Sequence, residues 1–129
     1  MQYLMMIGIV AGLAVSDVLT GFLKACVTGQ VRSRAMRVGG LHKLGELTVM
    51  VTACGLEYGI ARLGAYYDAA VLADVVGAFT AVGVFCFITV MELVSILENY
   101  AAIDPEAGWV RTILRRLRRG GRDGGGEDA

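Results

Sequence analysis

The chain has little of what metal sites, disulfide-stapled domains and most catalytic centres are built from. Its 129 residues include three cysteines, one histidine, one proline and one tryptophan. Cys26, Cys54 and Cys86 are odd in number, widely spaced, and set in or beside apolar runs. That excludes a disulfide framework and makes them small apolar side chains. A lone His42 cannot complete a Cys/His zinc site, so neither a metal nor any other cofactor is expected. No serine stands in a nucleophile-elbow setting and no glycine-rich phosphate loop follows a strand, so the chain does not read as an enzyme. An excess of one charge sign is missing too, since 12 Lys and Arg balance 12 Asp and Glu.

What the chain has in plenty is apolar surface. Hydrophobic residues make up 56% and the mean hydropathy is +0.61, against about 45–50% apolar residues in soluble domains. These residues gather in long runs with the charges clustered between them, which makes a bilayer their natural solvent. The expected fold is all-α: an integral membrane protein with about three transmembrane helices plus a C-terminal amphipathic basic helix. The first run, about Met1–Leu23, is broken only by Asp17. It is longer than a signal-peptide core and lacks a small-residue cleavage site, so it is expected to stay as an anchor. A basic, glycine-containing loop (Lys24, Arg32, Arg34, Arg37, Lys43) follows, then a span over about 44–63 with Glu46 and Glu57, and a third over about 69–99. Residues 1–103 thus form the membrane domain. Asp104-Pro105-Glu106 supplies an N-cap, a first-turn proline and an acid, which opens a helix over 104–120. The glycine-rich 121–129 reads as a disordered tail.

Orientation follows from the basic residues. The stretches Lys24–Lys43 and Arg111–Arg122 are cytoplasmic by the positive-inside rule, which puts the N-terminus outside and the C-terminus inside. The aromatics agree: Tyr3, Tyr58, Tyr66 and Tyr67 fall toward the outer interface, Tyr100 and Trp109 toward the inner one.

Four features bear on function. Gly8, Gly12, Ser16 and Thr20 recur every four residues and form a groove of small side chains, fit for a helix–helix contact either between copies or between segments of one chain. Asp17 lies beside this groove in the inner half of the first span; it either lines a water path or assembly surface, or pairs with Lys24. Glu46 and Glu57 share one face of the second span, with Ala53 and Gly64 near the same line. Asp74 and Glu92 share one face of the third, and Ser95 and Asn99 continue it. Such stripes either face one another inside a bundle or turn to a shared lumen. Two stripes carrying several acids exceed what a bundle needs for structure alone, which favours the lumen. Finally, Trp109, Val110, Ile113, Leu114 and Leu117 oppose Arg111, Arg115, Arg116, Arg118 and Arg119, the pattern of a helix lying on an anionic inner leaflet rather than on nucleic acid.

The string Ser16-Asp17-Val18-Leu19-Thr20-Gly21-Phe22-Leu23-Lys24-Ala25 resembles the Asp-x-x-Thr-Gly-x-x-Lys-Ala signature of the toxin-secretion and phage-lysis holins. Ser33, Gly40 and Lys43 are placed as in that family. Glu92-Leu93-Val94-Ser95-Ile96-Leu97-Glu98-Asn99 resembles its Glu-x-x-Ser-x-x-Glu-Asn block. The chain departs from the family in having only Asp104-Pro105 where a glycine and two prolines usually follow. The resemblance implies a homo-oligomer that forms membrane lesions, through which a cell-wall hydrolase, an endolysin, is released or activated without required direct contact. Some relatives are tied to toxin export. Asp17, Thr20, Gly21, Glu92, Ser95 and Asn99 are the expected pore or assembly residues. The alternatives are a small proton-coupled multidrug-type transporter and a non-conducting adaptor or holin antagonist.

Overall fold

The computed structural model describes residues 1–120, apart from the side chains of Asp74 and Ala78. Every regular element among them is helical: α1 Gln2–Val27, α2 Ser33–Tyr66, α3 Ala70–Ile103 and α4 Gly108–Gly120. The tail expected to be disordered, 121–129, lies outside the described residues, and so does the side chain of Asp74 in the third-span stripe.

The first three helices form an up-down-up bundle in which each packs on the other two, with α4 folded against α3. Two tight reversals set the topology. After α1, Gly29 adopts φ +68°, and the N–H groups of Gly29 and Gln30 return to the carbonyls of Cys26 and Ala25. This is the paired closure of a glycine-terminated helix. After α2, Asp68 takes the left-handed position at φ 56° and Ala69 N–H reaches Gly64 O at 2.8 Å. Aspartate tolerates that conformation better than most side chains.

Two boundaries differ from expectation. The basic stretch read as a loop through Lys43 is largely helix, because α2 starts at Ser33 and leaves only Thr28–Arg32 between helices. Apart from Gly39-Gly40, residues 33–43 are mostly fair helix formers, and extending a helix is far cheaper than nucleating one. At the other end, Asp104-Pro105-Glu106 does not open a helix. Asp104 Oδ1 accepts from Glu106 N–H at 3.2 Å and Asp104 O from Ala107 N–H at 3.3 Å, a self-satisfied turn that delays α4 to Gly108.

α1 and α3 are each long and apolar enough to cross a membrane; α2, the least apolar of the three, does not meet the same test. The interior is thin. Val10, Met50, Cys54, Ala81 and Ile88 are buried, with Met6, Leu47, Val84 and Phe85 packed around them. Meanwhile Leu4, Ile9, Leu19, Phe22, Val71, Leu72, Phe79 and Phe87 point outward. A bundle with an apolar exterior and charged groups inside matches lipid rather than water as its surroundings.

Candidate functional site

Below the apolar core, the three helices converge on one ammonium group. Lys43 Nζ of α2 lies 2.9 Å from Asp17 Oδ2 of α1 and 2.8 Å from both Glu92 Oε1 and Oε2 of α3. Glu46, one turn further along α2, stands 3.5 Å away. Asp17 is 9% exposed and Glu92 1%. Glu92 is eleven residues from the end of α3, about 16 Å along the axis, so the cluster sits well inside the bundle.

A second layer joins the first toward the same end. Asn99 Nδ2 donates to Asp17 Oδ1 at 3.1 Å and to Thr20 Oγ1 at 3.4 Å, and Asn99 Oδ1 accepts from Lys24 Nζ at 3.4 Å. Gly21 lies against this amide, and a Cβ there would stand in ordinary contact, 3.5 Å from Asn99 Nδ2. Three carboxylates, Asp17, Glu46 and Glu92, thus share the one ammonium of Lys43, while that of Lys24 bonds the Asn99 amide. Glu46 Oε2 is buried without a hydrogen bond. In a low-dielectric interior each charge depends on its partners, and removing the central cation would strand all three acids. At the opposite end Tyr3 Oη donates to Glu57 Oε1 at 3.1 Å, while Glu57 packs on Gly77.

A family model, that of the bacteriophage holin family, matches residues 2–119. The chain belongs to the bacteriophage holin family. No curated protein and no solved structure matches it.

The sequence-predicted residues of this holin separate into three groups. Asp17, Thr20, Gly21, Glu92 and Asn99 come together in the hub, and Ser95, half-buried on the same side of α3, lies between Glu92 and Asn99. In the single chain Glu46, Glu57 and Glu92 turn inward, with Ala53 and Gly64 buried on the same face of α2 as Glu46 and Glu57. Asp17 pairs with Lys43 and not with Lys24, whose ammonium is spent on Asn99. Gly8, Gly12 and Ser16 form a separate, exposed face of α1; a Cβ at either glycine would meet nothing within 4 Å. No other helix among the described residues fills that groove.

The third group lies on α4. Val110 is buried and Trp109 sits 5.9 Å from Tyr100 between ring centroids. Arg118 pairs with Glu98, Arg111 donates to Pro105 O at 2.6 Å, and Arg115, Arg116 and Arg119 remain exposed. Lys43, the centre of the hub, was legible only as part of a basic stretch. Its one usable signal was Glu46 three residues on, which puts a cation and an acid on one helix face.

Proposed function

We propose that this holin accumulates in the bacterial cytoplasmic membrane as a closed three-span bundle, then self-associates into lesions that let an endolysin reach the cell wall. The observation that carries this reading is the inverted distribution of polarity. The chain keeps its acids on Lys43 at the centre and presents apolar side chains outward. Such a unit is stable alone in lipid and holds in reserve the polar groups that a water-filled lesion requires. α2, the least apolar of the three, crosses here as the third span because α1 and α3 cover its acids. The N-terminus lies outside and the C-terminus inside, so the hub falls in the inner half.

Association runs through the small-residue face Gly8, Gly12 and Ser16, which has no partner among the described residues and lets backbones approach closely. In the assembly Asp17, Glu92, Ser95 and Asn99 exchange their internal partners for water. The exposed Arg115, Arg116 and Arg119 of α4 hold the anionic inner leaflet and set the timing.

Expression in bacteria tests the proposal directly. Membrane potential should collapse abruptly after a delay, and co-expressed endolysin should then clear the culture; sustained growth with potential intact would overturn it. A proton-coupled transporter would instead leave cells viable with altered drug tolerance. For the contact itself, Gly12→Leu should shorten the ladder of crosslinked oligomers while leaving the monomer folded, and an unchanged ladder would remove α1 from the interface.

A further inference from the structure

Along the seam between α1 and α2 the bundle does not close. Toward the arginine-bearing end of α2, a cavity of about 230 Å³ opens between the two helices, with Asp17, Lys43 and Asn99 in its lining and Arg32 among its bounding residues. A second cavity, about 280 Å³, follows the same two helices deeper, between Val15 of α1 and Leu44 and Leu47 of α2. The two share Val18, Gly40 and Lys43 and so form one cleft. Its open space begins on the α2 backbone, because a Cβ at Gly39 or Gly40 would meet nothing within 4 Å.

The cleft has a direction. Its deep part is apolar, and its outer end carries Arg32, with Arg34 and Arg37 on the first turns of α2; none of the three makes an ion pair among the described residues. From Arg32 to Leu47 the helix rises about 22 Å. One leaflet of hydrocarbon is about 15 Å deep, with the headgroup layer beyond it. An apolar trench of leaflet depth with cations at its polar end has the charge and dimensions of one lipid molecule.

We infer that the α1–α2 cleft seats a single anionic phospholipid of the leaflet at the arginine-bearing end. Its phosphate lies against Arg32, and one acyl chain lies against Val15, Val18, Leu44 and Leu47. This rests on the membrane reading above. The acyl chain covers the hub where it is thinnest, at Lys43 and Asp17, whose side chains are 17% and 12% exposed. The lipid is thereby part of the closed bundle, and opening the hub requires it to leave.

The full chain, purified in mild detergent and offered phosphatidylglycerol and phosphatidylcholine of identical acyl chains in equal amounts, is the test, with bound lipid counted by native mass spectrometry. One phosphatidylglycerol per chain should be retained, in preference to phosphatidylcholine by about fivefold, with Arg32→Ala erasing the preference. Gly40→Leu, whose Cβ has open space and whose side chain fills the cleft, should abolish retention of either lipid at unchanged helicity. Should that variant fail to fold, Val18→Trp fills the same space from the opposite wall. Arg62→Ala, toward the other end of α2 and outside the cleft, should alter nothing. Equal retention of the two lipids, retention surviving a folded cleft-filled variant, or loss caused by Arg62→Ala would each overturn the proposal. A chain that collapses membrane potential yet retains no lipid defeats this inference alone; one that retains lipid yet leaves potential intact defeats the holin reading alone.

Discussion

At Lys43 a single methylene stem carries the ammonium to two helices that are 26 and 49 residues away in the chain. The asymmetry of buried ion pairs makes it the residue on which the closed state depends: forming such a pair gains little net stability, whereas removing one partner leaves the other charged and dry. Lys43→Met should therefore destabilise the bundle by about 3–5 kcal/mol, read as a lower midpoint in a denaturing-detergent titration of helicity. In cells it should bring lysis forward, because nothing then holds Asp17 and Glu92 inside. Asp17→Asn keeps a hydrogen-bonding side chain opposite Asn99 and should cost less, about 1–3 kcal/mol. A Lys43→Met midpoint equal to that of the parent chain would show that the hub contributes no stability. The polar groups of this site were readable from the sequence, since Asp17 interrupts an otherwise apolar span and Glu92, Ser95 and Asn99 share one face of α3. Their cation was not, because which acids a lysine meets is decided by helix packing, and its neighbours Arg32, Arg34 and Arg37 gave it the look of a solvated run.

Among the helices, the glycines divide by whether another backbone comes close. A Cβ at Gly77 would stand 2.9 Å from Glu57 Cγ, and one at Gly64 would overlap Ala73 Cβ, so α2 and α3 owe their close approach to these two positions. At Gly12, Gly55 and Gly59 the same atom meets nothing. Gly77→Leu should cost about 1–3 kcal/mol by forcing the pair apart. Gly55→Ala should be neutral or stabilise the helix by about 0.5–1 kcal/mol. The two midpoints in the same titration check the contrast, and a Gly55→Ala penalty as large as that of Gly77→Leu would place a partner against α2. Four-residue spacing exposed the groove at Gly8 and Gly12 to a sequence reading, yet it could not reveal Gly64 and Gly77, whose partners are Ala73 and Glu57 on a facing helix. The helices themselves were legible in number and order from their apolar runs. Their ends were less so, because Ser33–Lys43 is polar enough to pass for a loop and Asp104-Pro105 has the composition of a helix start while bonding as a turn.

For the molecule as a whole, the proposed topology can be read from cysteines already present. Cys26 is exposed next to the last residue of α1, Cys86 is exposed near the middle of α3, and Cys54 is buried. A charged maleimide needs both water and a thiolate, and a thiol facing hydrocarbon offers neither. In the proposed orientation, Cys26 therefore reacts from the cytoplasmic side, Cys86 is shielded by lipid and Cys54 by protein. Inverted membrane vesicles prepared before the potential collapses should take up one label per chain, abolished by Cys26→Ala, while intact spheroplasts should take up none. Labelling of Cys26 from the outer face would reverse the orientation and move the hub to the outer half. After the collapse, the proposed exchange of internal partners for water should bring Cys54 into reach, because Cys54 belongs to one buried cluster with Ile88, a turn before Glu92 on α3. A second label that appears with the loss of potential, and disappears with Cys54→Ala, would tie bundle opening to lesion formation. Collapse with Cys54 still protected would mean that lesions form between bundles that stay closed.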